Sequence, residues 1–99
     1  MTKLEIIILT ALLIEERHGY AIREFARSIT GKKPTVATLY TTISRLHSAE
    51  MIERVGKRVG KEDTQRLRKT YKVTALGRVS LSSELIEFQQ MYDLVNELL

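Results

Sequence analysis

Apolar residues recur at three- and four-residue spacing from Leu4 to Ile14. Thr2-Lys3-Leu4-Glu5 just before them has capping-box spacing, so the pattern predicts a helix beginning at Thr2. Leu4, Ile7, Ile8, Ala11 and Leu12 form one stripe. Ile6, Leu9, Leu13 and Ile14 add apolar surface around much of the remaining circumference, more than one small core is expected to cover. Glu15 to Gly19 reads as a turn. A second amphipathic helix is predicted over Tyr20 to Ile29, with Ile22, Phe25, Ala26 and Ile29 inward and Arg23, Glu24 and Arg27 outward. Thr30-Gly31-Lys32-Lys33 carries the glycine signal that ends it. Pro34 and Thr35 then introduce a third helix running to about Glu50, with Thr35 as its N-cap.

On that third helix Leu39, Ile43 and Leu46 share one stripe, while Ala37, Thr41, Ser44, Arg45 and Ser48 lie roughly opposite and Thr38 beside them. The outer face is small and hydrogen-bonding, where a merely solvated helix more often carries Glu, Lys and Gln. Met51 to Val55 predicts a short strand. Arg68 to Thr74 predicts a second, half-buried one, with Lys72 alternating against Tyr71 and Val73. The residues between them, from Gly56 to Arg66, are polar and glycine-punctuated and read as a hairpin tip carrying Lys57, Arg58, Lys61 and Arg66. Thr74 caps a last helix running to the end of the chain. There Leu81, Leu85, Phe88, Tyr92, Val95 and Leu99 alternate at spacings of four and three, a heptad seam that Ile86, Met91, Leu94 and Leu98 widen.

Three helices, a strand, a basic hairpin and a strand is the order of a winged helix-turn-helix, in which the third helix enters the major groove. The predicted fold is therefore mainly α with a small β-hairpin. Residues 1–74 would form the DNA-binding part and residues 75–99 a C-terminal dimerisation helix within the same structural unit. The length of 99 residues fits one domain. Charge strengthens the picture, because the net +4 is unevenly spread. Residues 1–53 carry +1, residues 54–78 carry +7, and residues 79–99 carry −4. A basic block beside an acidic tail suits a protein that meets a polyanion through one surface, although a solvated charged hairpin would look the same. The seam and the over-apolar first helix predict a homodimer in which Leu81, Leu85, Phe88, Tyr92, Val95 and Leu99, with Ile6 and Leu9 of the first helix, form the interface, the alternative being a last helix that caps its own small core.

Particular residues also carry a family likeness. His18-Gly19-Tyr20, Pro34 followed by Thr38-Leu39-Tyr40, Arg45-Leu46 with Met51-Ile52-Glu53, and the run from Arg68 to Arg78 occur in an order and spacing that resembles the PadR family of transcriptional regulators. The resemblance implies a dimeric winged-helix repressor of the short subgroup with a single C-terminal helix, often released from DNA by a small molecule or another signal. It implies that Thr35, Ala37, Thr38, Tyr40, Thr41 and Arg45 face DNA on the recognition helix, and that Lys57, Arg58 and Lys61 do so on the wing. Tyr20 corresponds to a family tyrosine near the DNA backbone, or else packs against the third helix. Lys32 and Lys33 reach phosphates, or else are solvated turn lysines. Glu15-Glu16-Arg17 and Ala21 depart from the family pattern. The chain has no tryptophan, which argues against an aromatic sandwich at the dimer centre. Phe88 and Tyr92 either flank an effector at the dimer interface or simply form the seam.

Other chemistries find little support. Without cysteine there is no disulfide framework or thiolate zinc site, and a reducing, cytoplasmic setting is expected. His18 and His47 alone make a poor metal site, so no metal or cofactor is predicted. No apolar run approaches a membrane span, no phosphate-binding glycine motif or nucleophile elbow appears, and no enzymatic activity is expected. The partners predicted are double-stranded DNA, a second copy of the chain and an effector. The rival reading is a winged-helix module that dimerises or binds proteins without reading DNA. An RNA-binding winged helix is disfavoured, because the third helix lacks stacking aromatics on its outer face.

Overall fold

The computed structural model describes residues 1–56 and 69–99. Its elements run α1 (Lys3–Ile14), β1 (Arg17–His18), α2 (Gly19–Thr30), α3 (Val36–Ser48), β2 (Ile52–Val55), β3 (Thr70–Val73) and α4 (Ala75–Leu98). The predicted capping box is present. The Thr2 hydroxyl accepts from the Glu5 N–H at 3.2 Å, and Glu5 Oε1 accepts from the Thr2 N–H at 2.7 Å.

α1 is the centre of the fold. It packs against α2, α3, β3 and α4, and Ile7, Ile8, Leu9, Ala11 and Leu12 are buried. A helix that is apolar all round is stable only where neighbours cover it on several sides, and here they do. The expectation that one core could not cover all of this helix is corrected for Leu9 and holds for Leu13 and Ile14. Leu9 is 0% exposed and offers no surface to a partner, and Ile6 packs half-buried against the core. Only Leu13 and Ile14, at the end of the helix, stay exposed.

The turn expected over residues 15–19 contains a strand of two residues. Arg17 and His18 pair antiparallel with Tyr71 and Thr70, making a three-stranded sheet of order β1-β3-β2. The other side of β3 pairs with β2, from Ile52 opposite Val73 to Val55 opposite Thr70, with a Lys72–Glu53 ion pair of 3.1 Å across the rungs. The α2 helix begins one residue earlier than its pattern predicts, because the His18 imidazole acts as its cap, Nδ1 accepting from the Ala21 N–H at 3.2 Å. Ile29, expected inward, is 58% exposed. It shares the face of the buried Ile22, but one turn past Ala26 the helix has outrun the core. Gly31, in the left-handed region at φ 82°, closes the helix as predicted.

α3 buries Leu39, Ile43 and Leu46 on the predicted stripe, together with Thr42. At its end three elements are fastened to one another. The Thr74 hydroxyl donates to the Glu50 carbonyl (2.6 Å) and accepts from the Gly77 N–H (3.0 Å), while the Thr74 N–H donates to the Met51 carbonyl (3.0 Å). α4 leaves from this joint. Leu81 is 2% exposed and belongs to the core, so it is not part of an outer seam as expected. Beyond it the helix has no large buried side chain: Leu85, Phe88, Tyr92, Val95 and Leu99 of the predicted seam are all exposed, as are Ile86, Met91, Leu94 and Leu98. A 24-residue helix is about 36 Å long, and α4 largely accounts for a molecule measuring 56 × 29 × 20 Å.

Candidate nucleic-acid interface

The stripe of Leu39, Ile43 and Leu46 fixes how α3 is rotated, and the opposite face is thereby presented to solvent. Thr35, Ala37, Thr38, Thr41 and Arg45 are all exposed on that face, and Ala37, Thr38, Thr41 and Arg45 line one shallow depression with Thr42 at its edge. The start of the helix is stiff. The Thr35 hydroxyl caps it by accepting from the Thr38 N–H at 3.1 Å and donates in turn to Thr38 Oγ1 at 2.8 Å. The Thr42 hydroxyl is turned back on the helix and donates to the Thr38 carbonyl at 2.8 Å. Val36, in the first turn, is 43% exposed, but three residues before Leu39 and seven before Ile43 it borders the buried stripe rather than this face.

α2 holds α3 in place. Arg23 Nε donates to the Pro34 carbonyl at 2.8 Å, fixing the turn between the two helices, a positioning role that the outward reading of Arg23 missed. Lys33 Nζ lies 2.6 Å from Glu24 Oε1, and Arg27 lies 3.6 Å from the other carboxylate oxygen. The hydrogen bond from Lys33, with the charges of Lys33 and Arg27 behind it, holds the Glu24 carboxyl below the usual carboxylate range. Lys33 therefore has a partner in its own chain, whereas Lys32 is exposed on the same turn.

Tyr20 is half exposed at the start of α2, its ring edge-on to that of His18 at 6.1 Å. Tyr40 is half-buried, close enough to Tyr71 to influence its ionisation. Burial, and then Tyr40, push the Tyr71 hydroxyl above its usual value, with Arg54 acting against them. Lys57, Arg58 and Lys61, assigned to the wing, lie outside the described residues. The strands that lead to that segment, β2 and β3, are the predicted pair. Among the described residues no cluster of three or more His, Asp or Glu side chains would hold a metal ion, and no helix is long and apolar enough to cross a membrane.

Residues 8–83 match the model of the transcriptional regulator PadR-like family. The chain belongs to that family. This PadR-like chain is also 30% identical over 95 residues to uncharacterized protein X of Lysinibacillus sphaericus, covering 94% of its own length and 84% of the relative's. Among solved structures it superposes on a PadR family transcriptional regulator from Eggerthella lenta with a TM-score of 0.74 at 25% identity, covering 96% of this chain and 80% of that one. It superposes on a PadR family transcription regulator from Clostridium difficile with a TM-score of 0.71 at 20% identity, over 97% of both chains. Four helices with a small antiparallel sheet are thus the winged-helix architecture of PadR-like regulators, and the chain is a DNA-binding regulator of transcription.

Proposed function

We propose that this PadR-like protein is a cytoplasmic repressor that binds a roughly palindromic double-stranded operator as a homodimer. The observation that carries the reading is the outer face of α3. It is exposed from Thr35 to Arg45, free of acidic residues and held rigidly from behind by Leu39, Ile43 and Leu46. Such a face suits close approach to base edges in the major groove, with Arg45 reaching a guanine edge or a phosphate. Lys32 and Tyr20 beside it, and Lys57, Arg58 and Lys61 from the wing, supply phosphate contacts in this reading. Lys33, paired with Glu24 through one of the three N–H groups of its ammonium, has donors left to join them.

The dimer follows from α4. Leu85, Phe88, Tyr92 and Val95 are exposed along one seam, and apolar surface of that extent is normally covered by a partner. Two protomers paired there would present two α3 helices to half-sites about 34 Å apart, which makes the operator palindromic. Repression follows from occupancy, since a dimer seated on its site excludes other proteins from it. An effector acting at that interface would enter beside Leu13, Leu85 and Ile86, which border a groove between α1 and α4.

A mobility-shift titration against the DNA upstream of its own gene, with unrelated duplex as competitor and at two salt concentrations, tests the reading. Competitor-resistant binding is expected, together with a mass of about 23 kDa by light scattering, twice the 11.4 kDa of the chain. Arg45→Ala should weaken specific binding by about 1–3 kcal/mol. Equal, steeply salt-dependent binding to every duplex offered, including a random pool, would favour the module that does not read DNA sequence.

A further inference from the structure

Resting on the reading of α3 as the helix in the major groove, we propose that this protein recognises its half-site chiefly through the C5-methyl groups of thymines. From Thr35 to Arg45 there is no Asn, Gln, Lys, Asp or Glu. Those side chains are the ones whose geometry matches particular bases: amides for adenine, carboxylates for cytosine, and lysine, like arginine, for guanine. Only Arg45 is left for a base of that kind. It stands eight residues after Ala37, about 12 Å further along the helix axis, and so serves the far end of the contact.

The hydroxyls on the near part of the face are largely committed within the helix. Thr35 spends its proton on Thr38 Oγ1 and its acceptor on the Thr38 N–H. Thr42 is buried and bonded to the Thr38 carbonyl. Thr41 and Ser44 make no side-chain hydrogen bond among the described residues, and the Thr38 hydroxyl keeps its own proton. What the face offers broadly is methyl surface: the Ala37 methyl and the methyls of Thr38 and Thr41, all on exposed residues. In the major groove the thymine methyl is the one apolar group that a base pair presents, and burying it against these side chains removes both from water.

The test begins by selecting a preferred duplex from a random pool with the intact protein. Each thymine of the selected half-site is then replaced in turn by deoxyuridine, which keeps the base pair and removes only the methyl. A buried methyl-sized group is worth about 0.8 kcal/mol, so each contacted thymine should weaken binding about fourfold when its methyl is lost. The same replacement in flanking DNA should change nothing. Thr38→Ser and Thr41→Ser, both at exposed positions, should each bind the thymine duplex about severalfold more weakly. Each should also cease to distinguish thymine from uracil at one position of the half-site.

Half-sites that bind equally well with uracil at every thymine position, while selection over random DNA persists, would overturn the methyl reading and leave the sequence-specific regulator standing. Failure to select any preferred duplex would overturn both. The uracil series uses the unaltered protein, so the outcome does not depend on how the variants fold.

Discussion

α1 and α4 look alike as sequences and end in opposite situations. Both carry more apolar surface than one stripe. α1 is enclosed by α2, α3, β3 and α4, and most of its excess is spent inside the protomer, with Leu13 and Ile14 left exposed at its end. α4 touches the core only through its first turns, from the close-packed Gly77 to Leu81, and then runs on with Leu85, Phe88, Tyr92 and Val95 exposed. The same excess of hydrophobicity thus means a central helix in one place and an unpartnered face in the other, and position in the fold decides which. The dimer proposed for this protein accordingly rests chiefly on α4, without the contribution from Leu9 that its sequence had indicated.

The sharpest way to break this contrast is to damage one face of each helix. Leu9→Ala removes a fully buried side chain from the packed centre and should cost about 2–5 kcal/mol, enough to unfold much of a small domain at 37 °C. Phe88→Lys places a charge on the α4 face, and its expected signature is different. The protomer should stay folded by circular dichroism, while light scattering gives the monomer mass and operator binding falls away. The parent's melting temperature should rise with protein concentration and that of the Phe88→Lys variant should not, because only the parent is linked to association. A Phe88→Lys protein that unfolds like Leu9→Ala would show that α4 is covered within the protomer after all.

This contrast also marks where the sequence was legible. Caps could be read directly, since Thr2, Thr35, Thr74 and Gly31 act through local hydrogen bonds or backbone conformation that neighbouring residues specify. The α3 stripe was legible for the same reason, because one strong period leaves one way to face the core. Leu9, Leu81 and Ile29 were misplaced because burial depends on which other elements arrive, and periodicity within a single helix carries no record of that. Two residues of β1 are too few to alternate, so the strand is visible only in its pairing with β3. The site was legible as a face, from Thr35 to Arg45, but the helix-fixing bond from Arg23 to Pro34 was hidden by its distance in sequence.

A smaller effect is expected where α4 leaves the core. A Cβ at Gly77 would overlap the Met51 carbonyl oxygen and lie 2.8 Å from Val73 Cγ2, so only glycine lets the helix start so close to the beginning of β2 and the end of β3. Both neighbours are held, Met51 by the hydrogen bond from Thr74 and Val73 by its place in the sheet. Gly77→Ala should therefore destabilise by about 2 kcal/mol despite alanine's better helix propensity, lowering Tm by on the order of 10 °C. Thermal unfolding of the Phe88→Lys, Gly77→Ala double variant would isolate the effect from dimerisation. An unchanged Tm would mean that the joint between α4 and the sheet yields more readily than its packing implies.

The smallest expected effect distinguishes how the two helices begin. α4 is capped by the neutral Thr74, whereas the box that starts α1 includes the ionisable Glu5. Partial burial works against ionisation of Glu5. The Thr2 N–H and hydroxyl, then Arg45 and the amino terminus, outweigh it and hold the Glu5 pKa below its ordinary value. A carboxyl with a lowered folded-state pKa adds stability above its unfolded pKa, and that stability is lost as the pH falls through the folded value. Glu5→Gln keeps a side chain able to accept from the Thr2 N–H but removes the titration. Near neutral pH the variant should lie within about 1 kcal/mol of the parent. Below the ordinary carboxylate range the gap should close as the parent alone loses its charged cap. Parallel Tm curves for the two proteins from pH 7 down to pH 3 would show that the start of α1 does not depend on the charge of Glu5.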